Sequence, residues 1–276
     1  MPTPEPVAFT VFGIDIMWYA VLITSGIVIA TIICCRRAPK HDLTSDQLLN
    51  FVIICVPIAI IGARFYYVVF NWSYYSGDIM KIINIRAGGL AIHGGLIFGF
   101  LTAVILCFLW KIRPLNILDL AVPSITLAQS IGRWGNYFNS EAYGSPTNLP
   151  WAITINGQSV HPTFLYESVW CFILFLLLIY IDNRRRFEGQ TLLLYGILYS
   201  AERFFVEALR TDSLMIGPFK QAQVISLSAI VICTIAYIFL NRRRGSGDGR
   251  RNSDKDDTME VDTSPNDHTK THELKK

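Results

Sequence analysis

The 276-residue sequence has few charged residues. Only 16% of its residues are Asp, Glu, Lys or Arg, whereas soluble domains average about 25%. Hydrophobic residues make up 52% of the chain, and the mean hydropathy is +0.39. Much of the charge lies in the last part of the chain, from Arg242 onward, so the remainder is more apolar still. This composition argues against an ordinary soluble domain and predicts an integral membrane protein.

Several site classes lack their usual sequence pattern. There is no CxxC pair, and all six cysteines lie in apolar runs, where we expect small buried side chains. His93 and His161 have no further ligand at metal-binding spacing, so we expect no metal and no cofactor. The N-terminus lacks a basic segment and a small-residue cleavage site, so we expect the first apolar run to remain as a helix.

Seven apolar stretches are candidates for crossing a bilayer, which takes about 20 residues. They cover approximately 16–35, 48–70, 91–110, 115–132, 164–181, 190–208 and 222–240. Pro57 and Arg64 interrupt the second stretch, and Asp119 and Pro123 interrupt the fourth. Such residues are tolerated where they face other helices or a wet cavity. The predicted fold is therefore an all-α polytopic membrane protein with seven transmembrane helices.

Basic residues beside these stretches predict the orientation, because cytoplasmic loops are enriched in Lys and Arg. The segments "CCRRAPK", "KIRP", "DNRRR" and "NRRR" follow the first, third, fifth and seventh stretches. Each of these segments follows an odd number of crossings, so all four lie on the same side of the membrane. We therefore expect the N-terminus outside and the C-terminus in the cytoplasm.

The connections on the outer side are expected to form a small extracytoplasmic cap. Its segments are about 71–90, 133–163 and 209–221. The alternation in "WAITINGQSVHP", with a tight turn at Asn156 and Gly157, predicts a β-hairpin in the second segment. Residues 1–241 would then form the membrane domain, and residues 242–276 a disordered, charged cytoplasmic tail.

Polar side chains collect in the outer half of the predicted bundle, where the orientation rule does not explain them. Charges at membrane depth are costly and favour a functional interpretation. The residues concerned are Arg64, His93, Arg133, Asn136, Asn139, Glu141, His161, Glu167, Glu202, Arg203, Glu207 and Arg210.

Arg203, Glu207 and Arg210 are spaced so that they share one helical face. One interpretation is an internal ion-pair network that holds helices together. The other is an anion site in which Glu207 orients an arginine, because the planar guanidinium gives a phosphate bidentate hydrogen bonds.

Glycines surround a single histidine in "GGLAIHGGLIFG", residues 88–99. Their spacing is typical of close helix packing, in which His93 would have only a structural role. Alternatively, His93 acts as a general base or fixes the substrate, and the glycines allow close backbone approach.

The segment "SIGRWGNYFNSE", residues 130–141, brings polar groups to the end of an apolar run. Arg133 and Asn136 are about one helical turn apart, and Asn139 and Glu141 follow. The group predicts either capping and anchoring of a helix or a site for a polar headgroup at the outer interface.

These motifs resemble those of the bacterial prolipoprotein diacylglyceryl transferases. The segment "GRWGNYFNSEAYG" is similar to the signature of that family, "HGGL" to its histidine motif and "RFFVEALR" to its late arginine motif. The segments "GARFYYVVF" and "HPTFLYES" are similar too, and the resemblance covers roughly residues 13 to 240 in the expected order. Ala20 stands where the family usually has glycine.

The resemblance implies transfer of the diacylglyceryl group of phosphatidylglycerol to the lipobox cysteine of a prolipoprotein, the first step of lipoprotein maturation. A thioether forms and glycerol phosphate leaves. It further implies a multi-pass protein of the bacterial inner membrane with its active site toward the outer face. The implied partners are phosphatidylglycerol, prolipoprotein signal peptides with a lipobox cysteine and membrane lipids, without nucleic acid.

The resemblance also implies roles for individual residues. Arg133 and Arg203 would contact the phosphate and stabilise the leaving group, and His93 would be the base. The implied substrate-binding residues are Tyr19, Arg64, Asn136, Asn139, Glu141, Gly144, Glu207 and Arg210.

Three other classes compete with this interpretation. A transporter or channel for an anionic solute also has broken spans and intramembrane arginines, but no internal repeat relates the two halves of this sequence. An intramembrane serine protease is disfavoured because no serine lies in a Gly-x-Ser-Gly type of context. A non-enzymatic lipid-binding scaffold would bind lipid without turnover.

Overall fold

The computed structural model describes residues 5–85, 88–155, 157–211 and 213–260, and the side chains beyond residue 243 are outside the description. Within these residues, most of the chain is helical. The helices are α1 (Trp18–Arg37), α2 (Ser45–Phe70), α3 (Trp72–Tyr75), α4 (Ile79–Ile83), α5 (Ile92–Leu109), α6 (Pro114–Phe138), α7 (Thr163–Asp182), α8 (Gln190–Leu209) and α9 (Gln221–Glu260). The prediction of an all-α polytopic membrane protein is confirmed.

Short antiparallel hairpins accompany the helices. Strand β1 (Val7–Val11) pairs with β2 (Ile14–Met17), β3 (Ile153–Ile155) with β4 (Gln158–Val160), and β5 (Met215–Ile216) with β6 (Phe219–Lys220). The β3–β4 pair is the hairpin that the sequence predicted, although its turn residue Asn156 lies outside the described residues. Ile153, Ile155 and Val160 bury it against Phe164 at the start of α7.

Six of the described helices are long and apolar enough to cross a membrane. They are Trp18–His41, Ser45–Phe70, Ile92–Leu109, Pro114–Phe138, Thr163–Asp182 and Gln221–Arg243. Helix α8 also has 20 residues, but its charged groups Glu202, Arg203 and Glu207 make it less hydrophobic. The count of seven spans and the orientation therefore stay predictions.

Helix α6 is longer than its apolar stretch suggested. The sequence predicted an apolar stretch that ends near residue 132, whereas the helix continues to Phe138, so the cap segment predicted from about residue 133 begins within α6. Aromatic packing stabilises the additional residues. The rings of Trp18 and Phe138 stack at 5.1 Å, and those of Tyr137 and Phe164 stack at 4.9 Å. Arg133 and Asn136 thus project from a helix.

Local signals set where several helices begin. Thr44 and Gln47 form a capping box, in which each side chain accepts a hydrogen bond from the backbone amide of the other, and α2 starts there. Pro114 lies in the first turn of α6, where a missing N–H costs little. Gly189 precedes α8 with φ of 91°, a left-handed conformation that favours glycine.

Glycines allow α2 and α5 to pack closely. A Cβ on Gly99 would lie 3.3 Å from the Cβ of Ala59, and a Cβ on Gly94 would collide with the backbone and side chains of α2. At Gly62, an added Cβ would strike the ring of Phe98. Gly94 and Gly99, which follow His93, therefore serve helix packing, and this agrees with one of the two interpretations of that motif.

The bundle end that carries the basic loops holds a buried polar cluster, here called the basic-end cluster. It consists of Arg37, His41, Asn116, Asp119 and Asp182. The Oδ2 atom of Asp182 lies 2.6 Å from Arg37 Nη2 and 2.9 Å from His41 Nε2. Asn116 donates from Nδ2 to the carbonyl of His41 at 2.6 Å, and Asp119 accepts hydrogen bonds from two backbone amides at the start of α8.

The opposite end of the bundle, here called the cap end, carries the three hairpins together with α3 and α4.

The last helix, α9, continues to Glu260, beyond the predicted end of the last span. Residues 261–276 lie outside the described residues. The division into a membrane domain and a disordered tail from residue 242 therefore stays a prediction.

Candidate functional site

A buried carboxylate joins two arginines near the cap end. Glu167 on α7 is 1% exposed. Its Oε2 atom lies 3.1 Å from Nη1 of Arg133 on α6, and its Oε1 atom accepts a hydrogen bond of 2.7 Å from Nη1 of Arg203 on α8. Three helices therefore meet at one carboxylate. An isolated charge would be costly in this position, so the two guanidiniums make the burial of Glu167 tolerable.

Further contacts fix each guanidinium from a second direction. Nη2 of Arg203 lies 2.8 Å from Oε2 of Glu207, one helical turn further along α8. Nη2 of Arg133 donates to the hydroxyl of Tyr199 at 3.1 Å, and the Tyr199 ring stacks on Tyr195 with centroids 5.2 Å apart. The set Arg133, Glu167, Tyr199, Arg203 and Glu207 is called the arginine cluster below.

The arginine cluster hides its carboxylates and leaves its cations partly accessible. The side chains of Arg133 and Arg203 are 20% and 21% exposed, whereas those of Glu167 and Glu207 are 1% and 3% exposed. A guanidinium with fixed orientation and an accessible edge is suited to bind a phosphate through two hydrogen bonds. The predicted pairing of Arg203 with Glu207 is thus present, together with a second arginine from another helix.

An apolar cavity of about 650 Å³ extends from the arginine cluster between α1, α2, α5 and α6. Its polar end is lined by Tyr19, Arg133, Asn136 and Tyr199. Its opposite end is lined by Cys34, Leu48, Phe51 and Ile117, and small or aliphatic side chains line most of the length between them. A cavity with the Arg133 cation at one end and apolar walls along its length fits an amphiphile with an anionic headgroup.

Tyr19 reaches this polar end because α6 has a glycine opposite it. A Cβ on Gly135 would lie 2.6 Å from the ring of Tyr19, so only glycine leaves room for the ring. Asn136 shares the cavity wall, and its side-chain amide makes no hydrogen bond to any described residue. The structure therefore brings the predicted residues Tyr19, Arg133 and Asn136 together.

His93 lies apart from these groups. It is an exposed residue in the first turn of α5, and its ring centroid is 6.3 Å from that of Tyr66 on α2. It does not line the cavity, and among the described residues no hydrogen bond or ion pair connects it to Arg133 or Arg203. Its role as general base stays a prediction that no contact supports.

Arg64 uses its guanidinium to bind the cap segment between α2 and α5. The residue is 5% exposed. Its guanidinium donates hydrogen bonds of 2.6 to 2.9 Å to four backbone carbonyls of the segment between α2 and α5. The guanidinium also lies over the ring of Tyr75 at 5.0 Å. These contacts support positioning of the segment that leads into α5, and the predicted contact of Arg64 with substrate stays a prediction.

The other predicted residues lie in the cap and do not line the cavity. Asn139 caps α6 and donates to Glu141 at 3.3 Å, and both side chains are exposed. Gly144 bonds the carbonyl of His161 through its amide, and an added Cβ would lie 2.7 Å from the Cβ of His161. Gly144 also bridges to Arg210, which follows the last residue of α8. These residues shape the cap beside the arginine cluster.

Two residues of the arginine cluster were missing from the predicted site. Glu167 was recognised only as a polar residue at membrane depth, and its position within "HPTFLYES" was the available signal. Tyr199 gave no signal, since a tyrosine in an apolar stretch is ordinary. Nearby Glu202 is 8% exposed, and neither of its carboxylate oxygens has a hydrogen-bond partner among the described residues.

Comparisons with known proteins point to one family. The family model described as "Prolipoprotein diacylglyceryl transferase" matches residues 6–239. The phosphatidylglycerol--prolipoprotein diacylglyceryl transferase of Clostridioides difficile (strain 630) is 49% identical over 239 residues, covering 87% of this chain and 96% of the relative. Proteins of the same name from Finegoldia magna and Streptococcus uberis are 50% identical over 235 residues and 40% identical over 250 residues. They cover 85% and 87% of this chain, and 95% and 96% of the relatives.

Proposed function

The chain belongs to the prolipoprotein diacylglyceryl transferase family, and we propose that it transfers the diacylglyceryl group of phosphatidylglycerol to a cysteine thiol of prolipoproteins. The family resemblance found in the sequence motifs is confirmed, and the chain is a membrane-bound transferase. The observation that carries the proposal is the pair of guanidiniums, Arg133 and Arg203, which Glu167 holds beside the polar end of an apolar cavity.

The lipid substrate fits this arrangement by charge and by polarity. Phosphatidylglycerol has an anionic phosphodiester between a polar glycerol and two acyl chains. We infer that the phosphodiester lies against Arg133 and Arg203, with Tyr19 and Asn136 beside the headgroup. The acyl chains extend into the cavity toward Phe51, where apolar burial favours them.

The reaction exchanges one bond for another at a glycerol carbon of the lipid. The cysteine sulfur forms a bond to the carbon that carries the phosphate ester, and the carbon–oxygen bond breaks. Its electron pair leaves with the phosphate oxygen, so that glycerol phosphate is released with a second negative charge. Fixed donors lower a barrier most where charge develops. Arg133 and Arg203 are placed to supply them.

The thiol must lose its proton for the sulfur to attack. A free cysteine has a pKa of about 8.5, and cationic surroundings favour the thiolate. We propose that the arginines provide this field. His93 is the proposed acceptor of the proton, and retained turnover in His93→Gln would remove it from that role.

The carboxylates of the arginine cluster act by positioning. Glu167 ties α6 to α8 through both arginines, and Glu207 fixes the second guanidinium. Catalytic donors that are already oriented need no reorganisation during the reaction. We therefore propose Glu167 as a positioning residue of the site, in addition to the predicted Glu207.

We further propose that the cap end faces the outer side of the bacterial inner membrane. The basic loops, which include Arg37, Arg113 and Arg185, lie at the opposite end and suit the cytoplasmic side. A prolipoprotein would then present its lipobox cysteine to the arginine cluster from the outer face.

The test uses the purified full chain in detergent with phosphatidylglycerol and a lipobox peptide. Peptide mass and release of glycerol phosphate are followed together, and a peptide with serine in place of the cysteine is the control. We expect a thioether product only with the cysteine peptide. Lipid binding without any product would contradict the proposal and favour a scaffold or a transporter.

A further inference from the structure

The far end of the cavity is called the floor below. It is formed by Cys34, Leu48, Phe51 and Ile117. Leu48, Phe51 and Ile117 are buried and belong to one packed cluster with Leu106 and Cys107. The Phe51 ring also meets the edge of Trp110 at 5.3 Å. Because protein interiors are close-packed, such a floor does not recede easily.

The floor lies deep in the membrane. Tyr19 at the polar end and Cys34 at the floor are both on α1, about 22 Å apart along the helix axis at the usual rise per residue. One leaflet of the hydrocarbon core is only about 15 Å deep. A lipid bound by its headgroup at the polar end can therefore keep its acyl chains inside the cavity over most of their length.

Small side chains lie directly above the floor. Ala30 on α1 is one turn from Cys34, and Ala121 on α6 is one turn from Ile117. Ala103 on α5 lies one turn from Cys107 of the cluster below. Three helices thus contribute alanine to the part of the cavity wall near the floor, and these three residues are called the alanine layer below.

We propose that the floor and the alanine layer set the longest acyl chain that the enzyme accepts. The inference rests on the proposed transfer from phosphatidylglycerol and adds which lipid species are used. A chain that ends above the floor gains burial with each methylene. A chain that is longer must displace packed side chains, which is unfavourable. Acyl-chain selectivity then resides in Ala30, Ala103 and Ala121, far from the reacting atoms.

The experiment lets lipids of different length compete within one mixed micelle. Purified full chain is given equal amounts of didecanoyl, dimyristoyl and dioleoyl phosphatidylglycerol with a lipobox peptide. The mass of each thioether product reports which acyl chains were transferred. In Ala30→Phe, we expect the dioleoyl to didecanoyl product ratio to fall about tenfold, because the added ring fills the cavity above the floor.

Two further variants separate this effect from general damage. Ala20→Phe makes the same change on α1, but its side chain lies in the separate groove with Thr24 and Val28, so the product ratio should stay as in the wild type. Ala103→Leu narrows the same layer from another helix with a smaller change and should shift the ratio in the same direction. A poorly folded variant lowers all products together and leaves their ratio unchanged.

An unchanged ratio in both Ala30→Phe and Ala103→Leu, with measurable turnover, would overturn the acyl-chain proposal and leave the transferase function standing. Absence of every product with the wild type would refute the transferase function itself. The two failures are therefore distinguishable in one assay.

Discussion

Two buried ion-pair clusters lie at opposite ends of the same helix bundle, and they differ in what they leave accessible. In the basic-end cluster, Asp182 binds both Arg37 and His41, and the Arg37 side chain is only 9% exposed. In the arginine cluster, the side chains of Arg133 and Arg203 are 20% and 21% exposed, and Arg133 lines the cavity.

The difference separates a structural cluster from a binding cluster made of the same residue types. At the basic end, the carboxylates are bound from several sides, including by backbone amides to Asp119, and the cluster is packed against the floor of the cavity. At the cap end, two carboxylates orient two cations that still have an accessible edge. A buried arginine therefore indicates a substrate site only when its partners leave such an edge open.

The largest effect is expected when the binding cluster loses a cation. Arg133→Ala should lower kcat/KM about a hundredfold to a thousandfold, the usual loss when a donor to a developing anion is removed. Thioether formation per folded molecule measures this. Arg184→Ala is the matched control, because Arg184 is exposed just beyond the end of α7 and its guanidinium contacts Tyr180, far from the arginine cluster. Equal turnover in the two variants would remove Arg133 from the site.

Breaking the basic-end cluster should instead cost stability. Asp182→Asn leaves Arg37 without its buried counter-charge and changes the acceptor beside His41, and loss of one partner in a buried pair typically costs about 3 to 5 kcal/mol. Thermal unfolding in detergent should show a clearly lower Tm. The fraction that stays folded should keep its turnover, and a specific loss of turnover at normal Tm would contradict the structural assignment.

A smaller effect is expected when a positioning residue keeps its shape but loses its charge. Glu167→Gln should lower kcat about tenfold to a hundredfold, because both guanidiniums lose their shared anchor while the cavity that holds the lipid is unchanged. Steady-state kinetics over a range of lipid concentrations separates kcat from KM. A change confined to KM would show that Glu167 serves lipid binding and not the orientation of the arginines.

The smallest effect is expected at Glu202. Its carboxylate is buried without a hydrogen-bond partner among the described residues, which is unfavourable for a charged group. Glu202→Gln should therefore leave turnover within about twofold and leave Tm unchanged or slightly higher. A tenfold loss of turnover would instead make Glu202 a member of the site.

The sequence predicted most of the helices because their signals are local. The apolar length of α1, α5 and α7 and the alternation around the β3–β4 hairpin are properties of short segments. The end of α6 could not be predicted from a local signal. It depends on the stacking of Phe138 on Trp18, which are far apart in the chain.

The sequence motifs predicted individual residues of the site but not the contacts between them. Arg133, Asn136, Arg203 and Glu207 were found because polar and charged side chains at membrane depth are unusual. That Glu167 would join two arginines depends on how α6, α7 and α8 pack, and no single segment contains that information.

The measurement that tests the account most directly is the rate of thioether formation per folded molecule in Arg203→Ala and Asp182→Asn, determined side by side in the same detergent. Each variant removes one partner of a buried ion pair, one at each end of the bundle. We predict that Arg203→Ala loses turnover per folded molecule, whatever folded fraction it retains, and that Asp182→Asn loses folded fraction while each folded molecule turns over normally. Normal turnover per folded molecule in Arg203→Ala would contradict the assignment of catalysis to the arginine cluster.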